Sequence, residues 1–364
     1  MKNKTNILIC PLEWGLGHAG RMIPLARRLG EMNNNIFIAS GEEHISLFRN
    51  ELQNVKFIHF SGFKPGYSRY LPQYFILLLK IPVLLYHIIR EHYLLKKIII
   101  EYGIDIVISD NRFGLWNRKV KTVYITHMPV IPFPKLFSFL EFAGVFLHRI
   151  IIKKYSFCFI PDLPGEVNLS GRLSHGIKLP GNVRYIGILS RFSESGSSDL
   201  NSSGIFPKTT VILSGPEPQR GILKKKLTGI LKEKEIPAVM LEGRPLEKNE
   251  VVKSGNITFY NHIPASEMKE MIKGSTSIIT RAGYTTIMEL ISLNCSAILI
   301  PTPGQTEQEY LARYLSGKGW FATISQSALN TNILFPENKP YRFDLFIEQS
   351  EALLKEAIEE LLKE

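Results

Sequence analysis

Cysteine is scarce: Cys10, Cys158 and Cys295 stand one at a time in apolar runs of a 364-residue chain. With no CxxC and no pairing arithmetic, neither a disulfide framework nor a cysteine zinc site is supported, and a reducing compartment fits best. No Asp-x-Asp occurs, so a carboxylate-held divalent metal on a diphosphate is not indicated. The N-terminus has only a four-residue apolar run, Ile7 to Cys10, before Pro11 and Glu13, too short for a signal-peptide core. A cytoplasmic protein is therefore expected. There is no sequence repeat, and hydrophobic (45%) and charged (21%) fractions are those of folded, soluble-type chains, against disorder, collagen and a polytopic membrane protein. A chain of this length implies two domains, since single cores stop growing at roughly 250 to 300 residues.

Acidic residues are the minority, 33 against 44 Lys and Arg, and the imbalance is local. Residues 1 to 170 carry a net +9 and the remainder +2. The basic half is also greasy: 71 to 100 and 132 to 155 are rich in aliphatic and aromatic residues, interrupted by Lys80, Arg90, Lys135, Arg149, Lys153 and Lys154. Either both are core-facing helices with solvated cations, or they lie on an anionic membrane surface. A transmembrane helix is second choice, because Lys80, Pro82, His87 and Arg90 break the first stretch. Nucleic acid is not expected, since the cations lie among aliphatic bulk rather than stacking aromatics.

Short β-branched runs alternate with helical periodicity, the pattern of parallel α/β folds. Strands are expected at 6–10, 35–39, 55–60, 104–109, 121–126 and 157–160, and again at 209–214, 238–241, 257–260, 277–280 and 297–300. The division is an N-terminal domain 1–188, a Ser- and Gly-rich linker 189–206 that cannot bury much, a C-terminal domain 207–343 and a packing helix 344–364.

Three loops sit where ligands bind. After the first strand, Gly15, Gly17 and Gly20 satisfy G-x-G-x-x-G at the start of a helix, and His18 stands among them, bringing a titratable group to a ligand. In the second half, Ser214 and Gly215 follow one strand, with Arg220 just after, and Arg281, Gly283 and Thr285 follow another, with Glu289 one turn into the next helix. Small residues between a strand and a helix N-terminus offer N–H groups to an anion, and Glu289 can accept two ribose hydroxyls. Singly each is an ordinary connection; two with a carboxylate point to a nucleotide site.

The segment 280 to 326, TRAGYTTIMELISLNCSAILIPTPGQTEQEYLARYLSGKGWFATISQ, resembles the C-terminal domain of glycosyltransferase family 28, and Gly15-Leu16-Gly17-His18 ahead of Pro24-Leu25-Ala26 resembles that family's first glycine loop. The resemblance implies the GT-B fold, two Rossmann-like domains with parallel sheets facing an interdomain cleft. It implies a UDP-sugar on the C-terminal domain as a co-substrate, with no cofactor. By position, Glu289 would hold the ribose, backbone near Ile263 would read the uracil, and Ser214, Gly215, Arg281, Gly283 and Thr285 would line the diphosphate. Gln305 and Gln308 fall where sugar-contacting glutamines lie. The D-x-x-Q-x-N-A pattern departs here to Thr306, Glu307, Gln308, Glu309, Tyr310, Leu311 and Ala312, and Asn294-Cys295-Ser296 replaces Gly-x-Pro.

Glycosyl transfer needs a base for the acceptor hydroxyl and a stabiliser for the departing diphosphate. His18 is the expected base, Asp110 either its orienting carboxylate at the same sheet edge or a simple helix cap, and Glu13 the alternative base. His127, after another strand, either touches the acceptor or is structural. Helix N-termini with Arg220 or Arg281 would stand in for a metal. The expected reaction is inverting transfer of a hexose or N-acetylhexosamine to a lipid-linked or envelope glycan acceptor, at the inner face of the plasma membrane. The rivals are an NAD-dependent dehydrogenase using Gly15 to Gly20, with Glu42 or Glu43 on the ribose, a GT-B-shaped nucleotide-sugar epimerase, and a non-catalytic membrane-binding protein.

Overall fold

A computed structural model describes residues 4–66, 73–134, 137–193, 208–246, 250–330 and 341–363. The first lobe runs β1 (Asn6–Cys10), α1 (Leu16–Glu31), β2 (Asn35–Ser40), α2 (Glu42–Glu51), β3 (Lys56–His59), α3 (Gln73–Leu79), α4 (Ile81–Tyr102), β4 (Ile106–Asp110), β5 (Lys121–Ile125), α5 (Leu140–Ile152), β6 (Phe157–Ile160) and β7 (Val183–Tyr185). The second runs β8 (Thr209–Ile212), α6 (Gln219–Glu233), β9 (Ala238–Leu241), β10 (Val251–Ser254), β11 (Ile257–Tyr260), α7 (Ala265–Gly274), β12 (Ser277–Thr280), α8 (Tyr284–Ser292), β13 (Ile298–Leu299), α9 (Thr306–Gly317) and β14 (Ala322–Thr323), and α10 (Asp344–Leu362) closes the chain.

Each lobe holds one seven-stranded sheet, ordered β3-β2-β1-β4-β5-β6-β7 and β10-β11-β9-β8-β12-β13-β14. Every pairing is parallel except β10 with β11. Strands covered on both faces must be apolar throughout, which is why β1 reads Asn-Ile-Leu-Ile-Cys. Ile7 and Ile9 face the core under α1, while Leu8 and Cys10 face the core under α4. In the first sheet the order reverses at β1, which lies between β2 and β4, and in the second at β8, between β9 and β12. Crevices open beyond the carboxyl ends of strands at such reversals, so the loops after β1 and β8 occupy the ligand-binding position of their sheets.

The expected strands are all present, with ends shifted by one or two residues. The edge strands β7, β10 and β14 were not expected: Val-Arg-Tyr, Val-Val-Lys-Ser and Ala-Thr are too short or too polar to make an apolar run. The expected linker begins differently from its reading. Leu189, Ser190 and Phe192 are each about 1% exposed, and Ser190 Oγ lies 2.7 Å from Ser292 Oγ in α8. Two large apolar residues outweigh the neighbouring serines, so 189–193 is a packed strap; residues 194–206 fall outside the described structure. α10 returns to the first lobe, where Ser350 Oγ accepts from Ile188 N (2.8 Å) and Glu360 pairs with Arg184 (2.7 Å).

α3 and α4 meet at 65°, and among the described residues no single helix is long and apolar enough to cross a membrane, though this bent pair passes by length and composition. The inner side of α4 is fastened to the sheet by Leu95, Ile98 and a buried Glu91–Arg112 pair (3.1 Å). Its outer side, with that of α5, exposes Tyr86, Ile89, Phe142, Phe146 and Leu147. This is a wide apolar face on one side of the first lobe.

Candidate active site at the lobe junction

The loop leaving β1 starts α1 from Gly15, whose φ of 135° only glycine adopts without strain. One turn into α1, His18 and Arg21 lie three residues apart and so share a face. Asp110, the last residue of β4, meets them at the carboxyl edge of the sheet. Its Oδ2 is 2.8 Å from His18 Nδ1 and accepts from Arg21 Nε (3.1 Å), and Oδ1 accepts from Arg21 Nη2. Asp110 and Arg21 are almost completely buried, whereas the His18 side chain remains 19% exposed.

The charge states follow from the partners. Burial alone would push the Asp110 carboxyl up, but Arg21 and His18 outweigh it and hold it at about 2. Asp110 is therefore a carboxylate that only accepts, so His18 Nδ1 carries the proton and Nε2 keeps its lone pair. Burial, against the opposing pull of Asp110, lowers the His18 pKa below its usual value. His18 is thus neutral near pH 7, with Nε2 available as a base.

Arg21 reaches further. Its Nη1 lies 3.2 Å from His127 Nδ1, and because a guanidinium only donates, that nitrogen accepts. His127 Nε2–H then donates to Glu307 Oε1 of α9 at 2.8 Å, across the junction. The His127 ring stacks on Tyr284 of α8, centroids 4.0 Å apart. Two further contacts close the gap: Thr285 Oγ1 donates to Gly17 O (3.0 Å), and Glu289 Oε1 sits 3.8 Å from where a Cβ on Gly20 would be.

Of the expected site residues, Gly17, His18, Asp110, His127, Thr285 and Glu289 meet at this junction, and several expected residues do different work than anticipated. Arg281 is fully buried and donates to the carbonyls of Gln219 (2.8 Å) and Ile300 (3.2 Å), so it ties loops together rather than lining a diphosphate. Glu13, the alternative base, is also buried; it accepts from Gly41 N ahead of α2 and lies 3.5 Å from Lys64. His127 is saturated on both ring nitrogens, which commits it to structure in this arrangement. Glu289 is buried with its carboxylate 2.8 Å from Arg191 Nε, and burial raises its pKa against that cation. Gln308 Oε1 accepts from Thr302 N (2.9 Å), bracing the turn before α9, whose N-cap is Gln305. Ile263 packs its side chain into the core beside α7.

Gly215 keeps open space on its Cβ side, and Ser214 is partly exposed beside it. Gly283 caps the N-terminus of α8 and has only Thr286 Oγ1 near, at 3.9 Å. Arg220 donates to the carbonyls of Glu242 and Gly243 (3.3 Å each) and pairs with Glu217. The dinucleotide reading of Gly15 to Gly20 does not fit: a Cβ on Gly17 would already be 3.2 Å from Thr285 Oγ1, so the second lobe fills the place a pyrophosphate needs. Arg21, Glu307, Tyr284 and Arg191 were not foreseen. Only Arg21 carried a local signal, its spacing of three from His18.

Residues 231–339 match the glycosyltransferase family 28 C-terminal domain. An uncharacterized glycosyltransferase of Methanosarcina acetivorans is 24% identical over 249 residues, 64% of this chain and 63% of that protein. The UDP-N-acetylglucosamine–N-acetylmuramyl-(pentapeptide) pyrophosphoryl-undecaprenol N-acetylglucosamine transferase of Staphylococcus aureus is 25% identical over 126 residues, 34% of either chain. The chain therefore matches just under two thirds of the one relative's length and a third of the other's. Among solved structures, the kitacinnamycin glycosyltransferase superposes with a TM-score of 0.61 at 12% identity, covering 99% of this chain and 94% of its own, a likeness of fold. The chain is a GT-B protein of two Rossmann-like lobes that resembles the family 28 glycosyltransferases, residues 231–339 of its second half matching their C-terminal domain.

Proposed function

We propose that this protein is an inverting, metal-independent glycosyltransferase that moves a hexose or N-acetylhexosamine from a UDP-sugar to a lipid-linked or envelope glycan acceptor. The observation that carries the reading is the His18 Nδ1–Asp110 contact of 2.8 Å at the junction of two sheets that both reverse their strand order there. His18 Nε2 takes the acceptor proton while Nδ1–H stays on Asp110, which stabilises the imidazolium that forms. The acceptor oxygen bonds to the anomeric carbon as the bond to the diphosphate breaks, its electron pair leaving with UDP, and attack opposite the leaving group inverts the centre. The N-termini of α6 and α8, with Arg220, supply positive potential for the leaving diphosphate. Glu289 holds the ribose, exchanging its Arg191 partner for the two hydroxyls. The staphylococcal relative's name supports a UDP-N-acetylhexosamine donor and a polyprenyl acceptor.

The acceptor reading is joined to a docking surface. The exposed face of α4 and α5 rests on an anionic bilayer, placing the protein at the inner face of the plasma membrane. At one end of that face, Arg118, Lys153 and Lys154 line an open cavity of about 380 Å³ with Trp116, and no carboxylate among the described residues pairs with these three cations. Such unpaired cations suit lipid phosphates.

The test is UDP release across a panel of UDP-sugars, with and without crude lipid extract and with and without EDTA. Release that depends on lipid and survives chelation is expected; release from UDP-sugar alone would make the protein an epimerase or hydrolase instead. His18→Ala should abolish transfer with UDP still bound, and near-normal turnover would place the base elsewhere.

A further inference from the structure

Among the described residues Arg21 and Arg281 are the bulkiest side chains to be fully buried, and a buried guanidinium is costly unless its donors are met. Its fork grips both oxygens of Asp110, with Nη2 also 3.0 Å from His18 Nδ1, and the remaining arm holds His127. That geometry constrains the proposed base in two ways. Asp110 is fixed in the one orientation from which Oδ2 meets His18 Nδ1. Its negative charge is also already neutralised when it does so, unlike a carboxylate facing an imidazole alone.

We propose that Arg21 is a positioning residue that sets both the orientation and the basicity of His18 through Asp110, and that ties this pair to the second lobe through His127 and Glu307. The inference rests on the reading of His18 as the base, but its physical core does not need the reaction. A lone carboxylate beside His18 pulls a proton onto the ring; burial opposes this most strongly, and the Arg21 cation adds to that opposition. The groups facing His18 and its partners are Arg21 on α1, Asp110 on β4, His127 after β5, His44 on α2 and Glu307 on α9. His44, itself driven down to about 3 by burial, is neutral and leaves the balance to burial, Asp110 and Arg21.

The test follows the His18 ring by NMR titration of the full-length protein, assigned by loss of its signals in His18→Gln. In the wild type His18 should titrate below 6.5. In Arg21→Met, folding checked by circular dichroism, it should titrate measurably higher, since burial alone then opposes Asp110. An unchanged titration overturns the proposal. Arg21→Lys keeps the charge in the same space and covers the case in which the methionine variant does not fold. Its His18 should still titrate low, but transfer should fall about tenfold or more because the fork is lost; wild-type turnover and an unchanged pH profile in this variant would equally overturn the proposal. If His18→Ala transfers normally while Arg21→Met still shifts the titration, the catalytic reading has failed and the positioning stands.

Discussion

Replacing Asp110 with asparagine removes one charge from an enclosed polar cluster while keeping the side chain's shape. In the folded protein the carboxyl is held at about 2, against 3.8 for an ordinary aspartate. At about 1.4 kcal/mol per unit, ionisation of Asp110 contributes roughly 2 to 3 kcal/mol to folding. Because the folded pKa is the depressed one, that contribution is complete above about pH 4 and disappears as the pH falls through 2. The asparagine variant has nothing to titrate there and leaves Arg21 buried without its counter-charge, an added penalty bringing the loss at neutral pH to about 3 to 5 kcal/mol. Urea unfolding of both proteins between pH 2 and 6 reads this directly. The stability gap should be wide and level from pH 6 to 4, then narrow by about 2 kcal/mol toward pH 2. Other acid-sensitive groups cancel, being shared. A gap that stays constant across the range would show that Asp110 is not ionised against Arg21 and His18, and the tautomer argument for a free Nε2 would fall with it.

Other expectations concern the second lobe and the apolar face. Glu289→Ala should weaken UDP binding several-fold in calorimetry with the fold intact, and unchanged affinity would remove Glu289 from the nucleotide site. Charge reversal at Lys153 and Lys154 should reduce co-sedimentation with vesicles rich in anionic lipid. Phe142→Asp, in a side chain 80% exposed on α5, should reduce it without altering thermal stability by more than about 0.5 kcal/mol. Vesicle binding unaffected by either change would leave the face without a lipid role.

What could be read from the sequence divides along a physical line. Parallel strands buried on both faces announce themselves as short apolar runs bounded by turn residues, so Asn6–Cys10, Phe157–Ile160 and Ser277–Thr280 are found to the residue. An edge strand such as Val183–Tyr185 is held by one neighbour and partly solvated, and its three residues carry no such pattern. The segment from Leu189 to Ser193 misled for the opposite reason: its serines look like linker, but what places it is burial of Leu189 and Phe192 between α8 and α10 partners far along the chain.

The same line runs through the site. His18 was visible because glycines on either side announce a loop built for close approach, and Asp110 because a strand end fixes its position at the same edge. Arg281 carried an equally good local signal, a cation at the head of a glycine turn, yet it points inward to carbonyls of Gln219 and Ile300. Composition and spacing say that a cation stands at a turn; they do not say that β12 is buried on both faces, so that the residue following it also lies inside. Glu307 and His127 are separated by 180 residues and sit on different lobes, so nothing in either neighbourhood pairs them. Their bond exists only because two sheets, each reversing its strand order within the sheet, bring their carboxyl edges together. A site assembled this way shows its catalytic halves in the sequence and hides the bonds that join them, which is why Arg21, the residue that touches both halves of the first lobe's cluster and through His127 reaches the second, is where substitution tells most.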